Sequence, residues 1–322
     1  MASPKLIVFG PTGDIASVAA LTARGLGAHV VLAMRDPSKP IPGLAAELEA
    51  RGGFERVRAD LADPDSVAAA VTTTGATRAV FYVDFASTDG MLATVRALHG
   101  AGVDSPVLIS SASVHNRGVP LERLVTHGAD EPIARAHAAV ELSLRAVYGP
   151  GGYVALRPGF FASNSRRWLG GGQLASGRVT LDFPERVFDW IAPPDIGRVA
   201  AHVALRAGGA REVVAEAGGA EGIVLMGPRL LSGREGTQVI ARAAGFGEVG
   251  IEEILDEDAA VRHMVEKQGL PEIFARTLAK HGVDYAMTEE NTTVGPANVV
   301  KFGDGKITSL EGWAAAHKEA FN

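Results

Sequence analysis

Cysteine is absent from all 322 residues. That excludes disulfides, thiolate metal sites and thiol nucleophiles together. Lysine is nearly as informative, because none occurs between Pro40 and Glu266. The four tyrosines, at 82, 148, 153 and 285, therefore have no lysine four residues on. A Tyr-x-x-x-Lys pair, in which the lysine lowers the tyrosine pKa for ketone reduction, cannot be built. No apolar stretch approaches the ~18 residues of a membrane span, and no charged leader precedes a long apolar core. Runs of Lys or Arg are missing and the net charge is −6, which disfavours a nucleic-acid partner. The expectation is a soluble cytoplasmic protein without metal or membrane contact, a monomer or homodimer. At 47% hydrophobic and 21% charged, the composition is that of an ordinary globular chain.

What is present is organised around Leu6-Ile-Val-Phe-Gly10-Pro-Thr-Gly13-Asp-Ile-Ala16. A short apolar run, a glycine turn and a helical stretch from Ser17 to Arg24 form the phosphate-binding opening of a dinucleotide fold. Gly10 permits the turn, Gly13 lets backbone N–H groups approach a pyrophosphate, and the helix N-terminus adds partial positive charge. Further apolar runs at 29–35, 54–60, 78–83, 106–110 and 153–158 alternate with helical segments. That predicts a doubly wound parallel sheet of Rossmann type, followed by a smaller, mostly helical lobe. The division falls at 1–158 and 159–322, with some later elements returning to the sheet. Ligands in such sheets lie beyond the carboxyl ends of the strands.

The second strand ends in Arg35-Asp-Pro-Ser38-Lys39, where a carboxylate usually meets the ribose. Arg35 forks onto a phosphate, with Ser38 and Lys39 in the same loop, or else caps the strand; we read NADPH preference. Asp36 leaves a ribose role open. Asp60-Leu61 flanks an adenine, or Asp60 serves the turn alone. Asp63 and Pro64 open one helix, Asp195 caps another, and Ser232 with Glu235 forms a capping box. Residues 252–281 read as helical, and Thr308 or Ser309 caps a last helix.

Several landmarks then stand in order: the Gly10-Pro-Thr-Gly13 turn, Arg35-Asp-Pro, Asp60-Leu, His137-x-x-x-Glu141, Leu156-Arg-Pro-Gly-Phe-Phe161-x-x-Asn164, Asp195-Ile-Gly197, Leu231-Ser-Gly-Arg-Glu235 and Trp313. Together they resemble the NmrA-like family of atypical short-chain dehydrogenases/reductases, over nearly the whole chain. The resemblance implies NADP(H) as cofactor. It puts Gly10, Thr12, Gly13 and Ile15 at the pyrophosphate, Arg35 at the 2′-phosphate, and Asp60 and Leu61 at the adenine. Asp84, Phe85 and Ser110 would border the ribose and nicotinamide, with Pro158 and Gly159 beyond. Relatives include quinone reductases, isoflavone-reductase-like enzymes, reductases of secondary metabolism, and redox sensors without known turnover.

The catalytic lysine of isoflavone-reductase-like relatives is also missing; the corresponding helix carries His137 and Glu141 instead. His137 is expected as a proton donor oriented and raised in pKa by Glu141, or as a packing residue. Ser111, Ser113 and His115 are the other polar groups near the nicotinamide. Quinones, enones and iminium ions need little internal acid, so orientation supplies much of their reduction. Phe85, Phe160, Phe161, Trp168, Phe188 and Trp190 suit a flat, conjugated small molecule, with His115 and Asn164 as polar contacts. The expected function is an NADPH-dependent reductase of such a substrate. A dinucleotide-sensing regulator and a redox-neutral isomerase or epimerase are the alternatives.

Overall fold

A parallel strand covered on both faces has no solvent side, so its sequence is an unbroken apolar run. The computed structural model describes residues 4–114, 119–127, 131–282 and 287–321, and its first half follows that rule. The chain runs β1 (Lys5–Phe9), α1 (Asp14–Gly25), β2 (His29–Met34), α2 (Ala46–Ala50), β3 (Phe54–Arg58), α3 (Pro64–Thr74), β4 (Arg78–Tyr82), α4 (Leu92–Gly100) and β5 (Ser105–Ile109). It continues through α5 (Leu121–His127), α6 (Pro132–Tyr148), β6 (Val154–Pro158), α7 (Arg166–Leu169), β7 (Arg178–Asp182), β8 (Val187–Phe188), α8 (Pro193–Ala204), α9 (Gly209–Glu216) and β9 (Gly222–Leu225). The end comprises β10 (Leu231–Ser232), α10 (Gly233–Ala243), β11 (Gly250–Ile254), α11 (Glu257–Glu266), α12 (Glu272–His281), α13 (Glu289–Phe302) and α14 (Leu310–Ala316).

Seven strands form one parallel sheet in the order β3-β2-β1-β4-β5-β6-β9. This is a Rossmann-type sheet, and its order reverses between β1 and β4, opening a crevice at their carboxyl ends. One face is covered by α1, α8 and α9, the other by α3, α4 and α6, each over its own apolar cluster. The later half adds two small sheets, β7 with β11 and β8 with β10, around a third cluster that includes Trp190 and Trp313. Among the described residues no helix is long and apolar enough to cross a membrane.

Local chemistry sets the helix ends. Asp63 accepts from Ser66 N, with Pro64 at the first helical position, and Ser232 with Glu235 completes a capping box. Ser309 caps α14. Two expectations are corrected. The stretch 252–281 is not helical throughout: Gly250–Ile254 pairs in parallel with Arg178–Asp182, and Pro271 separates α11 from α12. Asp195 does not cap α8, whose N-cap is Ala192. Its buried carboxylate accepts from Thr308 N at 2.8 Å and Thr308 Oγ1 at 2.6 Å and pairs with Arg198. It therefore ties α8 to the start of the last helix.

Candidate functional site

The glycine turn is conformationally required at Gly10. Its φ is +65°, and a Cβ there would lie 2.5 Å from Cε1 of Tyr82, so a side chain fails on both strain and space. Gly13 N donates to Gly10 O at 3.0 Å, and Ser17 N makes the first bond of α1, to Gly13 O. The N–H groups of Asp14, Ile15 and Ala16 precede that bond and have no partner within the helix. Thr12 and Gly13 are exposed and Ile15 is half-buried beside them. Free donors and a dipole's positive end at one open turn fit a pyrophosphate.

At the neighbouring strand ends the charge is positive. The side chains of Arg35, Lys39 and Arg58 form no hydrogen bond or ion pair with a described residue. Asp36 is engaged in its own turn, accepting from Ser38 N at 3.0 Å and Ser38 Oγ at 2.6 Å. Those bonds, with the charges of Lys39 and Arg58, hold its carboxyl below the usual range. Ser38 thus has its proton on Asp36. Arg56 fixes the loop from below through Pro37 O at 2.6 Å and Lys39 O at 2.8 Å. Arg58 was not singled out by the sequence reading. Its register opposite Met34, one residue before Arg35, was the signal available.

Asp60 accepts from Ala62 N at 3.1 Å, so its carboxylate does serve the turn. Leu61 is 6% exposed, and its carbonyl accepts from Thr94 Oγ1 at 2.9 Å. Asp84 likewise closes a local turn onto Ala86 N. Tyr82, a second residue the sequence did not flag, is 45% exposed and lies against Gly10.

Beyond the carboxyl ends of β5 and β6 opens a cavity of about 420 Å³. Ser110, Ser111, Ser113, His137, Pro158 and Gly159 form its sheet-side wall, and Phe85 stands at its edge. Phe161, Asn164, Trp168 and Phe188 contribute from the later half, together with Phe160. Phe160 stacks on Trp168 and lies 4.3 Å from Phe188 between ring centroids. Trp190 is a correction: it is 1% exposed, does not line the cavity, and donates from Nε1 to Leu231 O at 3.0 Å. It supports Phe160 and Phe188 from behind. His115 lies outside the described residues.

The His137–Glu141 expectation is also corrected. Glu141 is fully buried and belongs to Arg157, which pairs with it through Nε and Nη2, and to Ser110, whose Oγ donates at 2.6 Å. His137 instead has Nδ1 2.8 Å from Ile133 O. Burial pushes its imidazole below the ordinary value, against smaller opposing effects of that carbonyl and of the Glu141 charge. It is therefore neutral near pH 7 and poorly suited to donate a proton.

The outer wall is the α11–α12 hairpin, which supplies Met264, Gln268, Leu270, Phe274 and Leu278. It is tied to the end of β7 by a polar cluster no sequence pattern suggested. His263 Nδ1 lies 2.9 Å from both oxygens of Asp182, and Gln268 Nε2 donates to Asp182 at 2.7 Å. Arg186 donates to the carbonyls of Leu278 and Ala279 at the end of α12. Phe274 meets Phe85 edge-on at 5.5 Å and closes the hairpin over the cavity mouth.

Comparison with known proteins gives a consistent relationship. A family model described as NAD(P)H-binding matches residues 10–178. The nitrogen metabolite regulation-like protein bik4 of Gibberella fujikuroi is 34% identical over 326 aligned residues, covering 98% of this chain and 95% of that protein. The NADPH-dependent quinone oxidoreductase QOR2 of Escherichia coli, solved with NADPH, superimposes with TM-score 0.68 at 17% identity, over 97% of this chain and 99% of that one. NmrA, a negative transcriptional regulator, gives 0.66 at 15%, over 99% and 96%. At these identities the two solved structures share the fold.

Proposed function

The chain belongs to the NmrA-like family of NAD(P)H-binding atypical short-chain dehydrogenases/reductases, and from that premise we propose that it is an NADPH-dependent reductase of a small, flat, conjugated substrate such as a quinone, enone or iminium ion. The observation that carries the reading is the aromatic cavity of about 420 Å³ placed where Ser110, Pro158 and Gly159 leave the sheet. A fold used only to sense a dinucleotide has no need of a largely apolar cleft beside it.

The 10–15 turn would hold the pyrophosphate, and Arg35, with Lys39 and Arg58, would face the 2′-phosphate. When bound, NADPH supplies a hydride. The residues of this chain orient an acceptor against it and exclude water: Phe160, Phe161 and Trp168 hold a planar ring system and Phe85 with Phe274 covers it. With His137 neutral, the acceptor must be one whose reduction places its negative charge on a delocalised oxygen, or removes a positive charge. An anionic product then takes its proton from solvent as it leaves the site.

Equilibrium titration with NADPH and NADH tests the cofactor half. Arg35→Ala should weaken NADPH binding by roughly 1.5–3 kcal/mol, one charged hydrogen bond, and leave NADH nearly unchanged. Turnover with a quinone, enone and iminium panel tests the rest. Tight NADPH binding without oxidation across that panel favours a second reading, a redox sensor, which the neutral state of His137 supports. That reading requires different affinities for NADPH and NADP⁺.

A further inference from the structure

His137 reaches the cavity wall with its tautomer already decided. Nδ1 lies 2.8 Å from Ile133 O, and a carbonyl only accepts, so Nδ1 carries the proton. Nε2, at the opposite edge of the ring, keeps its lone pair and is a hydrogen-bond acceptor. Burial acts in the same direction by opposing a second proton. Among the described residues no group donates to Nε2. Nε2 is not sealed from solvent; His137, 7% exposed, lines the cavity, so a ligand seated there displaces the water that meets this acceptor.

Ser111 on the same wall has the complementary need. Its Oγ accepts from Ser113 N at 3.2 Å and from Ser113 Oγ at 2.9 Å. Both lone pairs are used, and what remains is its own O–H, a donor. The other two serines have their protons committed, Ser110 to Glu141 and Ser113 to Ser111. The sheet-side wall therefore offers one acceptor and one donor, facing a lining that is aromatic at Phe160, Phe161 and Trp168 and polar at Asn164, Arg167 and Gln268.

We propose that the substrate is a flat conjugated carbonyl compound that also bears a free hydroxyl, its carbonyl accepting from Ser111 and its hydroxyl donating to His137 Nε2. The inference rests on the reductase reading and narrows its substrate class. Discrimination comes from the penalty on the wrong ligand. A bare quinone displaces water from the imidazole nitrogen and gives it no donor in return, whereas a hydroxylated one does. His137 thus selects substrate and does not protonate it.

The test uses 2-hydroxyanthraquinone and 2-methoxyanthraquinone, which share rings and carbonyls and differ by that one donor. The hydroxyl is too far from either carbonyl to bond internally. Each is titrated into the protein saturated with NADP⁺, at a pH where the phenol is un-ionised, and followed by tryptophan fluorescence, since Trp168 lines the cavity. The hydroxy compound should bind about tenfold more tightly. His137→Phe should abolish that preference, His137→Gln, with a carbonyl that can accept, should keep part of it, and Ser111→Ala should weaken both compounds alike. Thermal melts establish that the variants fold; should His137→Phe not fold, the wild-type comparison and His137→Gln still decide. Equal binding of the two compounds, or a preference surviving in a folded His137→Phe, overturns the proposal and leaves the reductase reading standing. If neither anthraquinone binds a protein that still binds NADPH, the flat-substrate reading falls and the proposal with it.

Discussion

Asp189 has no exposed surface and is held by two backbone donors, Phe160 N at 2.6 Å and Gly227 N at 3.0 Å. It sits so close to the Phe160 loop that a Cβ on Gly159 would meet its carboxylate at 2.3 Å. Burial pushes its carboxyl up to about 6, against the pull of those hydrogen bonds. The folded chain therefore holds the proton more tightly than the unfolded chain. The associated stability is fully present below the unfolded pKa, near 4, and is lost as pH rises through about 6. A displacement of that size corresponds to about 3 kcal/mol. Asp189→Asn should be less stable than wild type at pH 4.5, and the gap should narrow by pH 7, as read by urea unfolding. A gap that stays constant or widens with pH contradicts this account. Glu141 is the opposite case, a fully buried carboxylate with the partly buried Arg157 on it. Glu141→Ala removes the acceptor shared by Arg157 and Ser110 and should lower unfolding free energy by about 2–4 kcal/mol; a loss under about 1 kcal/mol would show that water or another group takes over.

At the level of elements, the contact between α1 and α8 places the cofactor turn. A Cβ on Gly197 would lie 2.5 Å from Ile15 O and 2.8 Å from Val18 Cβ, so the two helices touch backbone to backbone there. Gly197→Ala should destabilise by about 1–3 kcal/mol through overpacking. Because Ile15 belongs to the phosphate turn, it should also weaken NADPH binding several-fold, measured in one denaturation and one nucleotide titration. A stable variant with normal binding would mean that α8 can shift without moving α1. This glycine was legible in the sequence only as part of the Asp195-Ile-Gly197 signature; its reason lies on a helix some 180 residues earlier. The same limit explains what was misread. The apolar strands and the Gly10 turn were legible because their logic is local. Gly250–Ile254 passed as helix because its partner, Arg178–Asp182, is far away in sequence. Asp195 passed as a cap because Thr308 could not be seen beside it. Five of the six aromatic residues expected at the substrate do line the cavity, since aromatic residues at Pro and Gly breaks mark an open loop. Trp190 has the same signature but points inward, under Phe160.

Across the whole molecule, the cavity lies between two bodies of unequal stability. The sheet side is anchored by two large apolar clusters, whereas the α11–α12 hairpin has a small cluster of its own, Ala260, Val261, Met264, Ala275 and Ala279. A unit with so few buried contacts opens at lower free energy than the core. Its attachments are mainly polar: Asp182 to His263 and Gln268, and Arg186 to the end of α12. An asparagine at 182 keeps the shape but puts an amide donor where two donors converge, leaving at least one unpaired. Asp182→Asn should therefore raise hydrogen exchange across residues 257–281 by one to two orders of magnitude, a loss of about 1–3 kcal/mol in local stability. NADPH affinity should stay within twofold, because the 10–15 turn and Arg35 lie on the sheet. Substrate KM should rise, because Met264, Leu270 and Phe274 form the wall that moves. Unchanged exchange in 257–281 would show that the hairpin is held by its apolar contacts alone, and a parallel loss of NADPH affinity would show that the two sites are not mechanically separate.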